Sequence, residues 1–135
     1  MTAEFEGALF TRLSTFAGLV ALVGTRVWPD FIPDQTHAIM PAIVLTVGYD
    51  NDPMLVATGE QHARPILECY STSKAELLNI CKQLRLCLHG HSGTFGDYLM
   101  LSCILQSQDH TAVELSPGQP LYGAQVIFDA TITAA

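Results

Sequence analysis

Basic residues are scarce in this chain. Six Lys and Arg stand against thirteen Asp and Glu in 135 residues, a formal charge of −7. Gripping a phosphate backbone takes a concentrated positive patch. Arg12, Arg26, Arg64, Lys74, Lys82 and Arg85 are scattered, apart from the three between 74 and 85. Nucleic acid is therefore excluded as a tightly held ligand. Charge of either sign is also sparse, at 14% against 49% apolar residues. That balance excludes intrinsic disorder and points to some apolar surface meant for a partner.

Long hydrophobic runs are missing as well. Two uncharged, largely apolar stretches, Thr15 to Thr25 and Thr36 to Tyr49, fall short of the roughly 20 apolar residues of a membrane span. The second also contains Pro41. A secretory leader opens on basic residues, whereas this chain opens Met1-Thr2-Ala3-Glu4-Phe5-Glu6. These features predict a soluble protein made in the cytoplasm, with no membrane partner.

Cys-x-x-Cys spacing is absent. Cys69, Cys81, Cys87 and Cys103 each sit in an apolar run, where a reduced cysteine behaves as a small hydrophobe. Four free thiols are expected. There is no Gly-x-Ser-x-Gly elbow, and Gly90, Gly93 and Gly96 lead into a strand rather than a helix, as a turn does and a phosphate loop does not. The carboxylate pairs Glu4/Glu6 and Asp50/Asp52 fall at a terminus and in a turn, not in a buried, tuned site. Cys87-Leu88-His89-Gly90-His91 comes nearest to a metal cluster, but no second ligand pair lies at a fitting spacing. Imidazole at the negative end of a helix explains those histidines without a metal. The expectation is therefore no catalytic residue, no metal, no cofactor and no enzymatic activity.

The remaining pattern is architectural. A chain of this length makes one domain, spanning residues 1–135. Phe5, Leu9, Leu13 and Phe16 recur at helical steps, predicting a helix to about Ser14 and a short second one from Thr15 to Val23, stopped at Gly24. Arg26 to Trp28 reads as a strand ended by Pro29, Pro41 to Tyr49 as a strand apolar on both faces, and Arg64 to Tyr70 as a third. Asp50 to Ala63 is long for a connection and reads as an arm. Ser73-Lys74-Ala75-Glu76 is a capping box, opening a helix whose apolar face is Leu77, Cys81, Leu84 and Leu88. Tyr98 to Gln106 is again apolar on both faces, and Pro120 to Thr133 alternates. The order α-(α)-β-β-β-α-β-β predicts an α+β fold, a mostly antiparallel four- to five-stranded sheet with helices packed on one face. Strands apolar on both sides then leave a face for other copies to bury, worth several kcal/mol for a few hundred Å² at ~25 cal/mol per Å².

The segment Leu22-Val23-Gly24-x-Arg26-Val27-x-Pro29, followed by Pro41-x-Ile43-Val44, resembles the start of the tail-completion proteins of long-tailed phages, also called tail terminators or tail-to-head joining proteins. A strand ending Glu68-Cys69-Tyr70-Ser71, a Ser-x-x-Glu-Leu helix from Ser73 to Leu77 and two closing strands follow in the same order, so the resemblance runs from about Gly7 to Ile132. It implies a structural virion protein, assembled in the host cytoplasm. That protein would form a self-associated ring, taken as a hexamer, at the head-proximal end of the tail. Its partners would be the tail tube protein and the head–neck connector or stopper, with DNA passing through unbound. Gly24, Arg26, Trp28 and Pro29 are then a structural joint between helix and sheet, and Asp50, Asp52 and Glu60 are candidates for lumen or neighbour contact. The competing reading of the same elements is a small dimeric ligand-binding α+β module.

Overall fold

The computed structural model describes residues 2–30, 41–50, 60–95 and 98–134. Among them are helices α1 (Thr2–Thr15), α2 (Ala17–Val23) and α3 (Lys74–Leu88), and strands β1 (Val27–Pro29), β2 (Ala42–Asp50), β3 (Glu60–Ser71), β4 (Gly93–Phe95), β5 (Tyr98–Ser116) and β6 (Gln119–Ala134). The strands form one sheet in the order β1-β2-β3-β6-β5-β4. β1 runs parallel to β2, and every other neighbouring pair is antiparallel. The class is α+β and the sheet mostly antiparallel, as expected, with β1–β2 the one parallel pair, but among the described residues it has six strands rather than four or five. The extra strand is β4, in a stretch whose glycines read as a plain turn.

All three helices lie on one face. Strand parity decides which residues meet them. Ile43 and Leu45 of β2, Leu67 and Cys69 of β3, Val126, Phe128 and Ala130 of β6, and Met100 and Cys103 of β5 point to one side. They are buried in one cluster with Phe5, Leu9 and Leu13 of α1, Leu19 and Val23 of α2, and Leu77, Leu84 and Leu88 of α3. The four cysteines are free and buried.

The helix boundaries follow from local chemistry. α1 ends where Thr15 turns its hydroxyl back onto the carbonyl of Thr11 at 2.7 Å, a bond that competes with helix continuation. Phe16 is extended (φ −73, ψ 115), and α2 sets off at 76° to α1. Gly24 then takes φ 58, a backbone that side-chain-bearing residues rarely adopt. Arg12 ties this pair to α3, its Nη2 donating to the carbonyl of Cys87 at 3.0 Å while its guanidinium lies 5.5 Å over the Phe16 ring.

The capping box of α3 forms with one more member than its sequence announces. Ser73 Oγ accepts from the Glu76 N–H at 3.3 Å. Glu76 does not return directly to Ser73. Its carboxylate accepts from the Ser71 hydroxyl at 2.7 Å, and Ser71 Oγ in turn accepts the Ser73 N–H at 3.0 Å. Ser71 is fully buried, so this relay joins the end of β3 to the start of α3.

Two strands are longer than their sequence suggests. β3 already begins at Glu60, so the arm expected from Asp50 to Ala63 gives up its last four residues to the sheet. β5 does not stop at Gln106 but continues to Ser116 and pairs with β6 along its length, with register shifts at Met100/Ser102, Leu105/Ser107 and Glu114/Ser116. The β5–β6 turn is Pro117-Gly118, with Gly118 at φ 79, which suits a type II turn.

Candidate assembly surface

The face of the sheet away from the helices is left uncovered by the described elements, and its composition differs from expectation. Ala42 and Val44 of β2 point to it yet are already buried within the single chain. Half-buried Ile66 and Ile127 sit opposite each other at its centre, with polar groups to either side. Tyr70 donates to Glu68 at 2.7 Å, and His62 Nδ1 lies 3.1 Å from Asp129 Oδ1. Burial, then the Glu68 bond, pushes the Tyr70 phenol up to about 12. Over Gly123 the face dips into a cleft of about 270 Å³ lined by Glu68, Tyr70, Asp109, Thr111 and Gln125. A β-carbon at Gly123 would stand 3.1 Å from Thr111 Oγ1 and 3.6 Å from the Tyr70 ring, so the absent side chain makes this dip.

An apolar patch of the face lies on the first half of β5, and Val113, 55% exposed, and the half-buried Ile66–Ile127 pair are apolar on it too. Leu99, Leu101 and Ile104 are 37, 44 and 49% exposed, while Met100 and Cys103 between them are buried on the helix side. Here the expectation of a strand apolar on both faces holds. Half-buried Ile127 of β6 lies opposite Ser107, one position beyond Ile104, and continues the patch.

Of the acidic candidates, Asp50 is the last residue of β2, opposite His62, and Glu60 is the first of β3, opposite Thr133. Strand parity puts Glu60 and His62 on the uncovered face with Glu68, Asp109 and Asp129. Asp52 lies outside the described residues.

At the helix-to-sheet joint, the Gly24 N–H donates to Val20 O at 2.9 Å. Arg26 Nε donates to the Pro41 carbonyl at 2.7 Å, and the Ile43 N–H to the Arg26 carbonyl at 3.0 Å. The side chain of Arg26 thus fastens the start of β1 to the start of β2. Trp28 is half-buried opposite Val44, and Pro29 is exposed at the end of β1. Beside this joint a second cleft of about 270 Å³ opens between α1 and β2, lined by Glu6, Phe10, Pro29, Asp30, Leu45 and Val47.

The histidines of the Cys87–His91 stretch have structural partners. His89 Nδ1 accepts the Leu105 N–H at 2.9 Å, and His91 packs 5.7 Å from the Phe95 ring. Burial, then the Arg12 charge, lowers the pKa of His91. No group of three or more potential metal ligands occurs among the described residues. Cys69 and Cys81 share a thiol–thiol hydrogen bond between β3 and α3, which raises the first pKa and lowers the second. Both are buried, out of reach of a substrate.

The sheet edge at β5 carries a feature that sequence reading missed. β4 covers only Tyr98–Met100. Beyond it, the end of α3 covers Cys103 and Leu105 through the Gly90 N–H to Cys103 O bond at 2.7 Å and through His89. From Gln108 to Glu114 no described group pairs with this edge. The Pro-Gly dipeptide at 117–118 was the available signal, since it predicts a hairpin and hence an extended β5.

No family model matches the sequence, and no curated protein matches it. Among solved structures, the chain is similar to one from the "Virion of native gene transfer agent (GTA) particle", with 18% identity and a TM-score of 0.77 over 98% of this chain and 97% of that one. The two share a fold along essentially their whole lengths.

Proposed function

We propose that this chain is a structural protein of a phage-like particle that works as a tail terminator. Copies close into a ring, read as a hexamer, at the head-proximal end of the tail. The ring ends tube polymerisation and presents a docking surface to the neck. One observation carries the reading: the end-to-end fold match to a chain of a gene transfer agent virion, which agrees with the order of motifs in the sequence. The uncovered sheet face supports it. An apolar patch at Leu99, Leu101 and Ile104 offers contact area to a neighbour or to the tube. Glu60, Glu68, Asp109 and Asp129, set against Arg64, give the same face an acidic balance. A channel wall of that sign holds phosphates weakly and lets a duplex slide. Gly24, Arg26, Trp28 and Pro29 hold the helices in place on the sheet and take no part in chemistry.

The test is genetic. Deleting the gene from its particle-producing host is expected to leave headless particles with tails of unregulated length, seen by negative-stain microscopy. Normal particles from the deletion would overturn the reading.

A further inference from the structure

We propose that the open half of the β5 edge is a self-recognition site, where two copies pair β5 against β5 around a two-fold axis before any ring forms. The proposal does not rest on the ring reading. A two-fold contact is used up by the pair that makes it, so a dimer of this kind has to open before a ring with one rotation axis can close.

Hydrogen-bond parity identifies the groups involved. Cys103 and Leu105 turn their backbone groups away from β6, as their bonds to Gly90 and His89 require. The register shift between Leu105 and Ser107 moves that parity to even numbers, because Gln108 pairs with Val126 and His110 with Ala124. The N–H and C=O groups of Gln108, His110, Ala112 and Glu114 therefore face outward, with no described partner. An open edge of this length is a template for another strand. The opposite edge of the sheet is a poorer one: β1 has three residues and ends in Pro29, which has no N–H to donate.

Side-chain chemistry selects the occupant and the register. A second β5 running antiparallel and centred on Ala112 sets Glu114 opposite the partner's His110, twice over. It also sets Val113 opposite the partner's Thr111 on the uncovered face. Hydrogen-bonding pairs, here a carboxylate against an imidazole, and β-branched cross-strand pairs are the favourable kinds. Centring on Asp109 would instead oppose two like carboxylates. The side chains from Asp109 to Glu114 are all exposed in the single chain. A contact this small falls in the weak class, below about 1,200 Å², so a dissociation constant on the order of 10–100 µM is expected.

The register gives a sharp test. Thr111 and the partner's Val113 form a non-hydrogen-bonded pair with Cα atoms about 4.5 Å apart, within disulfide range. Thr111 and the partner's Thr111 are diagonal at roughly 8 Å, beyond that range. Thr111→Cys and Val113→Cys chains are prepared separately, mixed and treated with diamide. Diamide takes two electrons and two protons from the two thiols and becomes the hydrazine. The four native cysteines are buried. Disulfide dimer is expected in the mixture and not in either chain alone. No dimer in the mixture, or equal dimer in all three samples, would overturn the proposal. Sedimentation of the unmodified chain is expected to show dimer rising with concentration, and a monomer up to ~500 µM would overturn it too. Ala112→Pro removes one outward N–H and leaves the β5–β6 ladder intact, so it is expected to weaken the dimer at least tenfold with an unchanged circular dichroism spectrum. Unchanged dimerisation in that variant would count against the edge.

Discussion

At the scale of single residues, the core side chains make the firmest statements. Leu84 is fully buried on the sheet-facing side of α3, so Leu84→Ala removes apolar contact and leaves a cavity. A loss of about 2–5 kcal/mol is expected from urea unfolding. Tyr70 makes a different kind of statement. Burial and the Glu68 bond push its pKa up to about 12, above the 10.0 of an ordinary tyrosine. The folded state therefore holds the phenolic proton more tightly, and stability falls as pH rises between those values. Below pH 10 both states are protonated and the term is constant. Tyr70→Phe removes the group, so the difference between wild-type and variant urea midpoints is expected to shrink from pH 9 to pH 11.5. A difference independent of pH would mean that burial and the Glu68 bond do not hold the phenolic proton as described. Gly123 belongs beside it, since a β-carbon there meets Thr111 and the Tyr70 ring and Gly123→Ala would press on this same bond.

At the scale of elements, the Ser71 relay shows how a local motif is completed by tertiary structure. Ser73→Ala removes one cap bond and is expected to cost about 1 kcal/mol. Ser71→Ala removes two bonds at a fully buried position, leaving the Glu76 carboxylate and the Ser73 N–H without that partner. The expected cost is larger, about 1–3 kcal/mol, measured as the difference in unfolding free energy between the two variants. Equal costs would mean that water replaces the serine. The helices were legible in the sequence because their signals are local: steps of three and four, a Gly24 stop, a Ser-x-x-Glu start. The central strands were legible because they are apolar. The upper half of β5 was not, because Gln106-Ser107-Gln108-Asp109-His110 is polar on both faces. Its strand state comes from pairing with β6 across a Pro-Gly turn, not from burial. β4 was hidden for a similar reason. Three residues carry no periodicity, and only Phe95, packed edge-on against Phe5 at 5.8 Å, fixes them to the core. The acidic arm extends too far in the sequence reading because Glu60 to His62 are half-exposed and polar, held in β3 by the backbone ladder and, at His62, by the contact with Asp129.

At the scale of the whole molecule, the uncovered face carries acidic, polar groups and, on the first half of β5, an exposed apolar patch, and the two make separate predictions. The patch side chains Leu101 and Ile104 are exposed, so a charge placed there displaces no core contact. Surface changes of this kind stay within about 0.5 kcal/mol. Leu101→Asp, and Ile104→Lys, which sets a cation opposite Asp129, are therefore expected to unfold within that margin of wild type. Their effect should appear only where other chains are present. On the terminator reading, a buried charge at the contact costs several kcal/mol of desolvation, and complementation of a deletion with either variant is expected to leave tails of unregulated length. Exchanging Glu60 and Asp129 for their amides leaves the patch intact and only weakens the acidic wall, so tail length should stay normal in that variant. Normal tails from the patch variants together with long tails from the amide variant would place the assembly contact on the polar region of the sheet. The reverse pattern places it on Leu99, Leu101 and Ile104, where one chain alone leaves apolar surface in water.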